Sequence, residues 1–282
     1  MKGRRAWNDL RRRPLTVIAM ILTICLVGAA LLAPILTSTN PNAPRLQLRL
    51  EAPAWAGGAG GLLGTDELGR DLLLRILAGL RTSLLVGGLA TMTAIVVGTT
   101  VGLVSGYYGG LRDSVLSRVT EFQLAFPGLL FVLVLTRVLG QSLLSIWLTI
   151  GLISWPVFAR VTRSAVNSLR RSELVTSTIS IGARDVRIIG AHVLPNVSPA
   201  ILSLAGVTFT SIMLAEAGLS FLGFGVNPPG ISLGSILAAG RDHLVTSWWI
   251  SSFAGLALLV AVLGINLSNS WRTRFYDPLA AR

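Results

Sequence analysis

Long apolar runs alternate with short polar segments along the whole chain. Most runs approach or exceed the roughly 20 residues that a helix needs to cross the hydrocarbon of a bilayer. The pattern predicts an all-α, polytopic membrane protein with six transmembrane helices, at about residues 14–36, 83–106, 115–139, 143–159, 200–217 and 248–266.

Two segments between the runs are predicted to lie at the outer surface. The stretch at 37–61 is rich in Pro, Gly and Asn, and it leads through Leu63–Asp71 to a short amphipathic helix at Leu72–Leu80 that carries Arg75. The second stretch, Leu219–Pro229, is apolar but broken by Gly and Pro. Such backbone is tolerated at membrane depth only where protein buries it, so this stretch is an outer-surface or re-entrant segment.

Glycines and prolines also shape the predicted spans. Gly98, Gly102 and Gly106 recur every four residues in the second span, where they clear a strip along which another helix packs closely. Pro127 and Pro156 are expected to kink the third and fourth spans, because proline removes a backbone hydrogen bond.

Composition agrees with this interpretation. The chain has 282 residues, of which 52% are hydrophobic and only 13% charged, whereas about a quarter of an ordinary soluble domain is charged. The formal net charge of +12 would suggest nucleic acid in a soluble protein. Here the basic residues stand at the ends of apolar runs, as they do in cytoplasmic loops that meet anionic headgroups, so no nucleic-acid partner is expected.

Basic clusters orient the predicted spans. The arginine-rich start, the arginines that follow the fourth span, and the C-terminal arginines Arg272 and Arg274 are all expected in the cytoplasm. The resulting organisation is a cytoplasmic N-terminus at 1–13, a first transmembrane helix at 14–36, an extracytoplasmic segment at 37–81, a core with five spans at 82–270 that includes a cytoplasmic loop at 160–199, and a cytoplasmic tail at 271–282.

No catalytic constellation is visible in the sequence. Lys2 is the only lysine, so a phosphate-binding G-x-x-x-x-G-K-[ST] loop cannot occur, and ATP-driven work must use another polypeptide. Cys25 is the only cysteine, and His192 and His243 are far apart, so neither a disulfide nor a metal site is expected. The chain is predicted not to be an enzyme and to hold no cofactor.

The segment SELVTSTISIGARDVRIIGAHVLPN, at 172–196, lies between two spans. It resembles the cytoplasmic motif of inner-membrane permease subunits of ATP-binding-cassette (ABC) importers: an acidic residue, small residues, a glycine about nine positions on, and a Leu-Pro ending. The chain departs from the motif at Ser177-Thr178-Ile179, where the family usually has two alanines and an arginine. The coupling residues that the resemblance implies are Glu173, Ser177, Gly182, Ala183, His192, Leu194 and Pro195.

The resemblance implies a type I importer permease, in which this loop forms a short coupling helix that docks in a cleft of the ATPase and ends at Pro195. The alternative is a basic loop that rests on the membrane surface, with Gly182 as an ordinary helix stop.

Three further stretches resemble the subfamily that imports dipeptides, oligopeptides or nickel, and specifically its C-type permease. Leu63–Asp71 matches L-G-T-D-x-x-G-R-D, Leu219–Pro229 matches L-S-F-L-G-F-G-x-x-P-P, and Asn266-Leu267 with Asp277-Pro278 matches the end of the chain. Near that end Asn269-Ser270-Trp271-Arg272 replaces the family's Gly-Asp and basic pair.

The acidic residues leave two questions open. Asp66, Gly69, Arg70 and Asp71 form the extracytoplasmic motif, which either caps the following helix or presents a surface to an external binding protein. Glu216, in the fifth span, either contributes to the translocation path or makes a structural hydrogen bond.

The resemblance implies a permease of a bacterial inner membrane, with both termini in the cytoplasm, that forms half of a pathway for di- or oligopeptides. Its partners are a second homologous permease, two ATP-binding subunits that hold ATP and Mg, an external substrate-binding protein and membrane lipid. A nickel chelate or a haem-like cargo stays open. The alternative is a secondary transporter or channel driven by an ion gradient, which would need ionisable residues clustered at mid-bilayer.

Overall fold

The computed structural model describes residues 14–36, 40–172, 178 and 182–276. In this part of the chain the all-α prediction is confirmed, since the one extended pairing is an isolated bridge between Thr65 and Asp71. The helices are α1 Pro14–Leu36, α2 Leu72–Tyr108, α3 Gly110–Ala125, α4 Gly128–Leu139, α5 Leu143–Arg170, α6 Asp185–Ile188, α7 Leu194–Phe221, α8 Leu233–Gly240 and α9 Trp249–Tyr276.

Four helical stretches of the described chain are long and apolar enough to cross a membrane: Leu72–Tyr108, Leu143–Arg170, Asp185–Phe221 and Trp249–Ser270. The pair α3 and α4 passes the same test only if it is taken as one span. The helix α1 has the bounds expected from the sequence and 23 residues. The predicted count of six spans is therefore not confirmed, although the polytopic architecture is.

Two predicted helix ends are wrong. The short helix at Leu72–Leu80 and the second span form one 37-residue helix, α2, about 55 Å long. The fourth span continues beyond Ala159 to Arg170, so most of the arginines assigned to the following loop are helical. Neither junction contains Gly or Pro, and a change from apolar to polar residues does not by itself end a helix.

The predicted third span is broken at Pro127. Phe126 is extended, with φ −80° and ψ 137°, as expected for a residue that precedes proline. Helices α3 and α4 meet there at 89°. The sequence predicts a kink at this position but does not indicate the size of the bend.

Pro195 does not end a helical element, contrary to the sequence prediction. Helical backbone continues from α6 through a π-helical turn at Ile189–Val193 into α7. A proline ring clashes with the carbonyl four residues before it in a regular α-helix. The wider π turn immediately before Leu194 relieves this clash, so the chain passes Pro195 without a break.

The internal contacts of the described residues divide the chain into two compact units. The first unit contains the described residues of Met1–Gly87, Leu139–Ile146 and Thr210–Ser268, and the second contains those of Gly88–Val138, Trp147–Phe209 and Asn269–Arg282. The core of the second unit is a cluster of buried side chains: Ala94, Tyr107, Phe158, Val166, Ile188, Val193, Val197 and Ile201.

Within the second unit, α2 and α5 pack through the predicted glycine strip, which is confirmed. A Cβ at Gly102 would lie 2.6 Å from both the carbonyl oxygen of Ala159 and the Cβ of Thr162. A Cβ at Gly106 would lie 2.9 Å from the Cβ of Val166. These separations are too short for ordinary contacts, so the two backbones approach closely only because the side chains are absent.

Gly102→Ala is expected to destabilise the second unit, although alanine is the better helix former by about 1 kcal/mol. Overpacking at a close contact costs about 1–3 kcal/mol. The control is Gly88→Ala on the same helix, where the new Cβ would be 3.8 Å from Phe209 Cε2, an ordinary contact. Thermal unfolding in detergent checks this: a lower Tm for Gly102→Ala alone supports the packing account, and equal values contradict it.

Candidate functional site

The 182–199 segment contains all of the predicted coupling residues that the structure describes. Glu173 and Ser177 lie outside the described residues, whereas Gly182, Ala183, His192, Leu194 and Pro195 lie within this segment.

One face of the segment is anchored in the core of the second unit. Ile188, Val193 and Val197 are buried, with exposed fractions of 2% or less, and they join the cluster that includes Tyr107. Ala183 is partly buried and packs against the same cluster. A segment held by this many apolar contacts moves with the helices beneath it, because close-packed interiors transmit displacement.

The opposite face is open. Gly182, Val186, Gly190 and Leu194 recur every fourth residue, and all four are exposed. The Val186 side chain is 81% exposed. A Cβ built at Gly182 or Gly190 would meet no atom of the described residues within 4 Å. These four small or apolar residues form the open strip of the segment, at which a partner backbone can approach closely.

Arginines flank this strip. Arg184 and Arg187 are exposed on either side of Val186, and neither forms an ion pair with another described residue. Asp185, between Arg184 and Val186, is exposed as well, so the strip has an apolar centre beside which two arginines outnumber one aspartate.

A hydrogen bond connects the segment to the end of α2. The hydroxyl of Tyr107 donates to Asp185 Oδ1 at 2.9 Å, and the Tyr107 side chain is 6% exposed. Gly109 and Gly110 follow with φ of +66° and +58°, a conformation that glycine adopts readily.

This glycine turn directs α3 so that Asp113 meets Arg163 of α5. The guanidinium of Arg163 donates to both oxygens of Asp113, from Nε at 2.6 Å and from Nη2 at 2.7 Å. Ser105 of α2 donates to the same carboxylate. Bidentate pairs of this kind fix geometry as well as charge, so the ends of α2, α3 and α5 are held together beside the anchored segment.

His192 and Pro195 each accept a hydrogen bond through the backbone carbonyl. The carbonyl of His192 accepts a hydrogen bond from Asn196 Nδ2 at 2.7 Å, and that of Pro195 accepts one from Ser198 Oγ at 2.8 Å. Within the described ranges no group of three or more His, Cys, Asp or Glu side chains is placed to hold a metal ion.

The motif at 66–71 forms a compact loop around Asp66 in the first unit. One oxygen of its carboxylate accepts the backbone N–H groups of Leu68 and Arg70, at 2.9 and 3.0 Å. The other lies 2.7 Å from Arg70 Nε and 3.2 Å from Arg75 Nε. Asp66 is 3% exposed, which supports a structural role over a surface that contacts a partner.

Asp71 caps α2, which is the first of the two alternatives that the sequence leaves open for this motif. Its carboxylate accepts the backbone N–H of Leu74 at 3.2 Å, a typical capping bond. Gly69 has a φ of +71°, and a Cβ there would collide with the carbonyl of Arg45. Trp249 also holds the loop around Asp66, since its Nε1 donates a hydrogen bond to the carbonyl of Thr65 at 3.2 Å.

Glu216 is fully buried and hydrogen bonded within the first unit. Ser83 Oγ donates to one carboxylate oxygen at 2.7 Å, and Ser220 Oγ donates to the other at 2.8 Å. These contacts support the structural alternative, and a role in the pathway stays a prediction. The sequence analysis does not identify either serine as a hydrogen-bond partner of Glu216. Ser220 could have been identified, because it follows Glu216 by four residues on one helix, a spacing at which side chains meet.

Comparison with known proteins identifies the family. Residues 98–281, about two thirds of the chain, match the family described as binding-protein-dependent transport system inner membrane component. Residues 2–53 match the N-terminal TM domain of oligopeptide transport permease C.

Relatives match over nearly the whole chain. The dipeptide transport system permease protein DppC of Alkalihalophilus pseudofirmus is 34% identical, with 98% of this chain and 89% of that protein covered. The di/tripeptide transport system permease protein DppC of Pseudomonas aeruginosa is also 34% identical, with 96% and 90% covered.

The fold is also known from a solved structure. A chain of the MetNI methionine ABC transporter, in an inward-facing crystal form, superposes with a TM-score of 0.57 at 18% identity, covering 72% of this chain and 95% of that one. The chain therefore belongs to the family of inner-membrane components of binding-protein-dependent transport systems, whose members are non-catalytic permeases.

Proposed function

We propose that this chain is a permease subunit of an ATP-driven importer of di- or oligopeptides, and that it forms half of the translocation pathway with a second, homologous permease. The names of the relatives support the cargo, and the match of residues 2–53 supports the C-type subunit. The observation that carries the proposal is the 182–199 segment, which is anchored on one face and bears the open strip around Val186 on the other.

Six spans are obtained if α1 counts as the first, α3 and α4 together as the third, and α6 with α7 as the fifth. Alternation then places 40–71, the α4–α5 turn and 222–248 on one side of the membrane, and the 182–199 segment on the other. Contacts within each unit support this assignment: Trp249 bonds to Thr65, His243 Nε2 is 3.0 Å from Glu67 Oε1, and Tyr107 bonds to Asp185.

In this topology the 182–199 segment and both termini are cytoplasmic, in a bacterial inner membrane. Two ATP-binding subunits hold ATP and Mg, and an external binding protein delivers the substrate. Because Arg184 and Arg187 border the apolar strip, the cleft that receives it should have an acidic rim. Closure of the ATP-binding subunits would displace the segment, and the helices packed beneath it would follow.

The alternative of a self-sufficient, gradient-driven transporter has less support. Of the two acids that fall in or beside the apolar runs, Glu216 is occupied by two serine hydroxyls and Glu121 is exposed on the mixed-polarity helix α3. They do not form the mid-bilayer cluster of ionisable groups that such a mechanism needs.

Reconstitution tests the proposal. Vesicles that contain this chain, a second permease and the ATP-binding subunits should take up radiolabelled dipeptide only with external binding protein and internal ATP. Vesicles with this chain alone should take up none. Uptake by this chain alone under an ion gradient would overturn the proposal in favour of the alternative.

Tyr107→Phe, in the same vesicles, is expected to lower the peptide transported per ATP hydrolysed by about tenfold, because a hydrogen bond to a charged group contributes about 1.5–3 kcal/mol. Binding of the ATP-binding subunits should persist, since the strip is unchanged. Tyr108→Phe is the control, since Tyr108 contacts Tyr107 and Arg112 through its ring. An unchanged ratio of transport to hydrolysis in Tyr107→Phe would refute the connection to α2.

A further inference from the structure

An open cavity of about 400 Å³ lies in the first unit. Ala30 and Ala33 of α1 form one wall, and Ala78, Arg81 and Leu85 of α2 form another. The lining is completed by the loop at 229–231 and by Pro41, Asn42, Leu74 and Thr82. This volume falls in the range of small-molecule sites in proteins, about 300–1,000 Å³. Most of the lining is apolar, and Arg81 is its one charged residue.

Arg81 is the last charged residue of α2. No charged residue occurs between Thr82 and Tyr108, and that stretch is about 40 Å long, enough to cross the roughly 30 Å of bilayer hydrocarbon. In a span that begins at Thr82, Arg81 would lie at the level of the lipid headgroups, because long arginine side chains near helix ends extend to the interface.

Arg81 also has no acidic partner among the described residues. The other arginines near the start of α2, Arg70 and Arg75, both pair with Asp66. Arg81 is exposed and forms no ion pair in the described part of the chain. The cavity thus combines one free guanidinium with a mostly apolar wall.

We propose that this cavity binds an anionic phospholipid. The phosphate pairs with Arg81, whose planar fork suits phosphate oxygens. An acyl chain lies along Ala30, Ala33 and Leu85. A free phosphate would leave these apolar walls in contact with water, whereas a lipid covers them.

A peptide fits the lining less well than a lipid. Each peptide unit brings an N–H and a C=O that need partners when buried. Asn42 is already engaged, because its Nδ2 donates to the carbonyl of Pro229 at 2.8 Å and its Oδ1 accepts from Arg75 at 3.3 Å. Thr82 Oγ1 donates to the carbonyl of Ala78 at 3.2 Å. The lining therefore offers a site for one anionic head and little for a polar backbone.

Native mass spectrometry of the full chain in detergent tests the site. Dioleoylphosphatidylglycerol should be retained at least tenfold more strongly than dioleoylphosphatidylcholine, which has the same acyl chains but no net charge. Arg81→Gln should remove most of this preference, and Arg81→Lys should keep part of it. Arg137→Gln, at an exposed arginine of the second unit, should leave the preference unchanged.

Ala78→Phe provides a second, independent variant, because it fills the cavity and keeps Arg81. It should reduce retention of the phosphatidylglycerol. Equal retention of the two lipids by the unaltered chain, an unchanged preference in Arg81→Gln, or undiminished retention of phosphatidylglycerol in Ala78→Phe would each overturn the proposal. So would displacement of the lipid by millimolar inorganic phosphate or by a dipeptide, since either result would assign the cavity to a different ligand.

Discussion

Val186→Glu is expected to abolish ATP-driven transport and to leave the chain folded. The Val186 side chain is 81% exposed, and exposed substitutions usually change the free energy of unfolding by no more than about 0.5 kcal/mol. In the assembled transporter the same side chain is expected to lie in the apolar cleft of an ATP-binding subunit. Burial of an unpaired carboxylate there costs several kcal/mol, which weakens the association about 100-fold or more.

Co-purification of the ATP-binding subunits and the rate of transport-coupled ATP hydrolysis measure this effect. The matched control is Val245→Glu, at a valine that is 96% exposed in the first unit. That variant should bind and transport like the unaltered chain. If Val186→Glu retains its ATP-binding subunits and transports peptide, the open strip is not the docking surface.

Val186 is a better probe than Gly182, although the motif first directs attention to the glycine. Gly182 has a φ of +76°, so any side chain there strains the local backbone as well as the interface. Gly182→Trp would confound these two effects. Val186 lies in regular helix α6, where glutamate adopts the same backbone conformation without strain.

Asp66→Asn is expected to lower the free energy of unfolding by about 3–5 kcal/mol, the cost of leaving one partner of a buried ion pair uncompensated. The side chains of Arg75 and Asp66 are 9% and 4% exposed, so the cation left behind is poorly hydrated. The asparagine amide oxygen can still accept the two backbone N–H groups that Asp66 accepts, so the loss comes from the two ion pairs and should lower Tm by roughly 10 °C.

The exposed pair Arg241–Asp242 supplies the control. Its side chains are 61% and 72% exposed, and exposed pairs contribute about 0–1 kcal/mol, so Asp242→Asn should leave Tm nearly unchanged. Asp66→Asn also separates the two roles that the sequence left open. An unchanged Tm with lost stimulation by the external binding protein would contradict the structural role and favour a docking surface.

The sequence predicts helix packing correctly where the determining residues are close together in the chain. The glycine strip on α2 follows from a spacing of four residues, and the break at Pro127 follows from proline chemistry. Helix ends were predicted less well, because the sequence was divided where hydropathy changed. At Leu80 and at Ala159 the backbone continues as helix, since the turn that follows contains neither Gly nor Pro.

Pro195 shows how tertiary structure decides a local question. The sequence predicted that this proline ends the docking element, but a π turn lets the helix continue. Residues on both sides of it, Ile188 and Val197, are buried in the same core. Packing against that core holds both halves of the segment, which makes the irregular turn acceptable.

Sequence alone determined that this is an all-α membrane protein and where its main apolar helices and its glycine contacts lie, because hydropathy and spacing are properties of neighbouring residues. Only the tertiary structure decided which polar groups meet: Tyr107 with Asp185, 78 positions apart, and Ser83 with Glu216, 133 positions apart. Such partners depend on how distant helices pack, and neither hydropathy nor spacing specifies which side chains face one another across that packing.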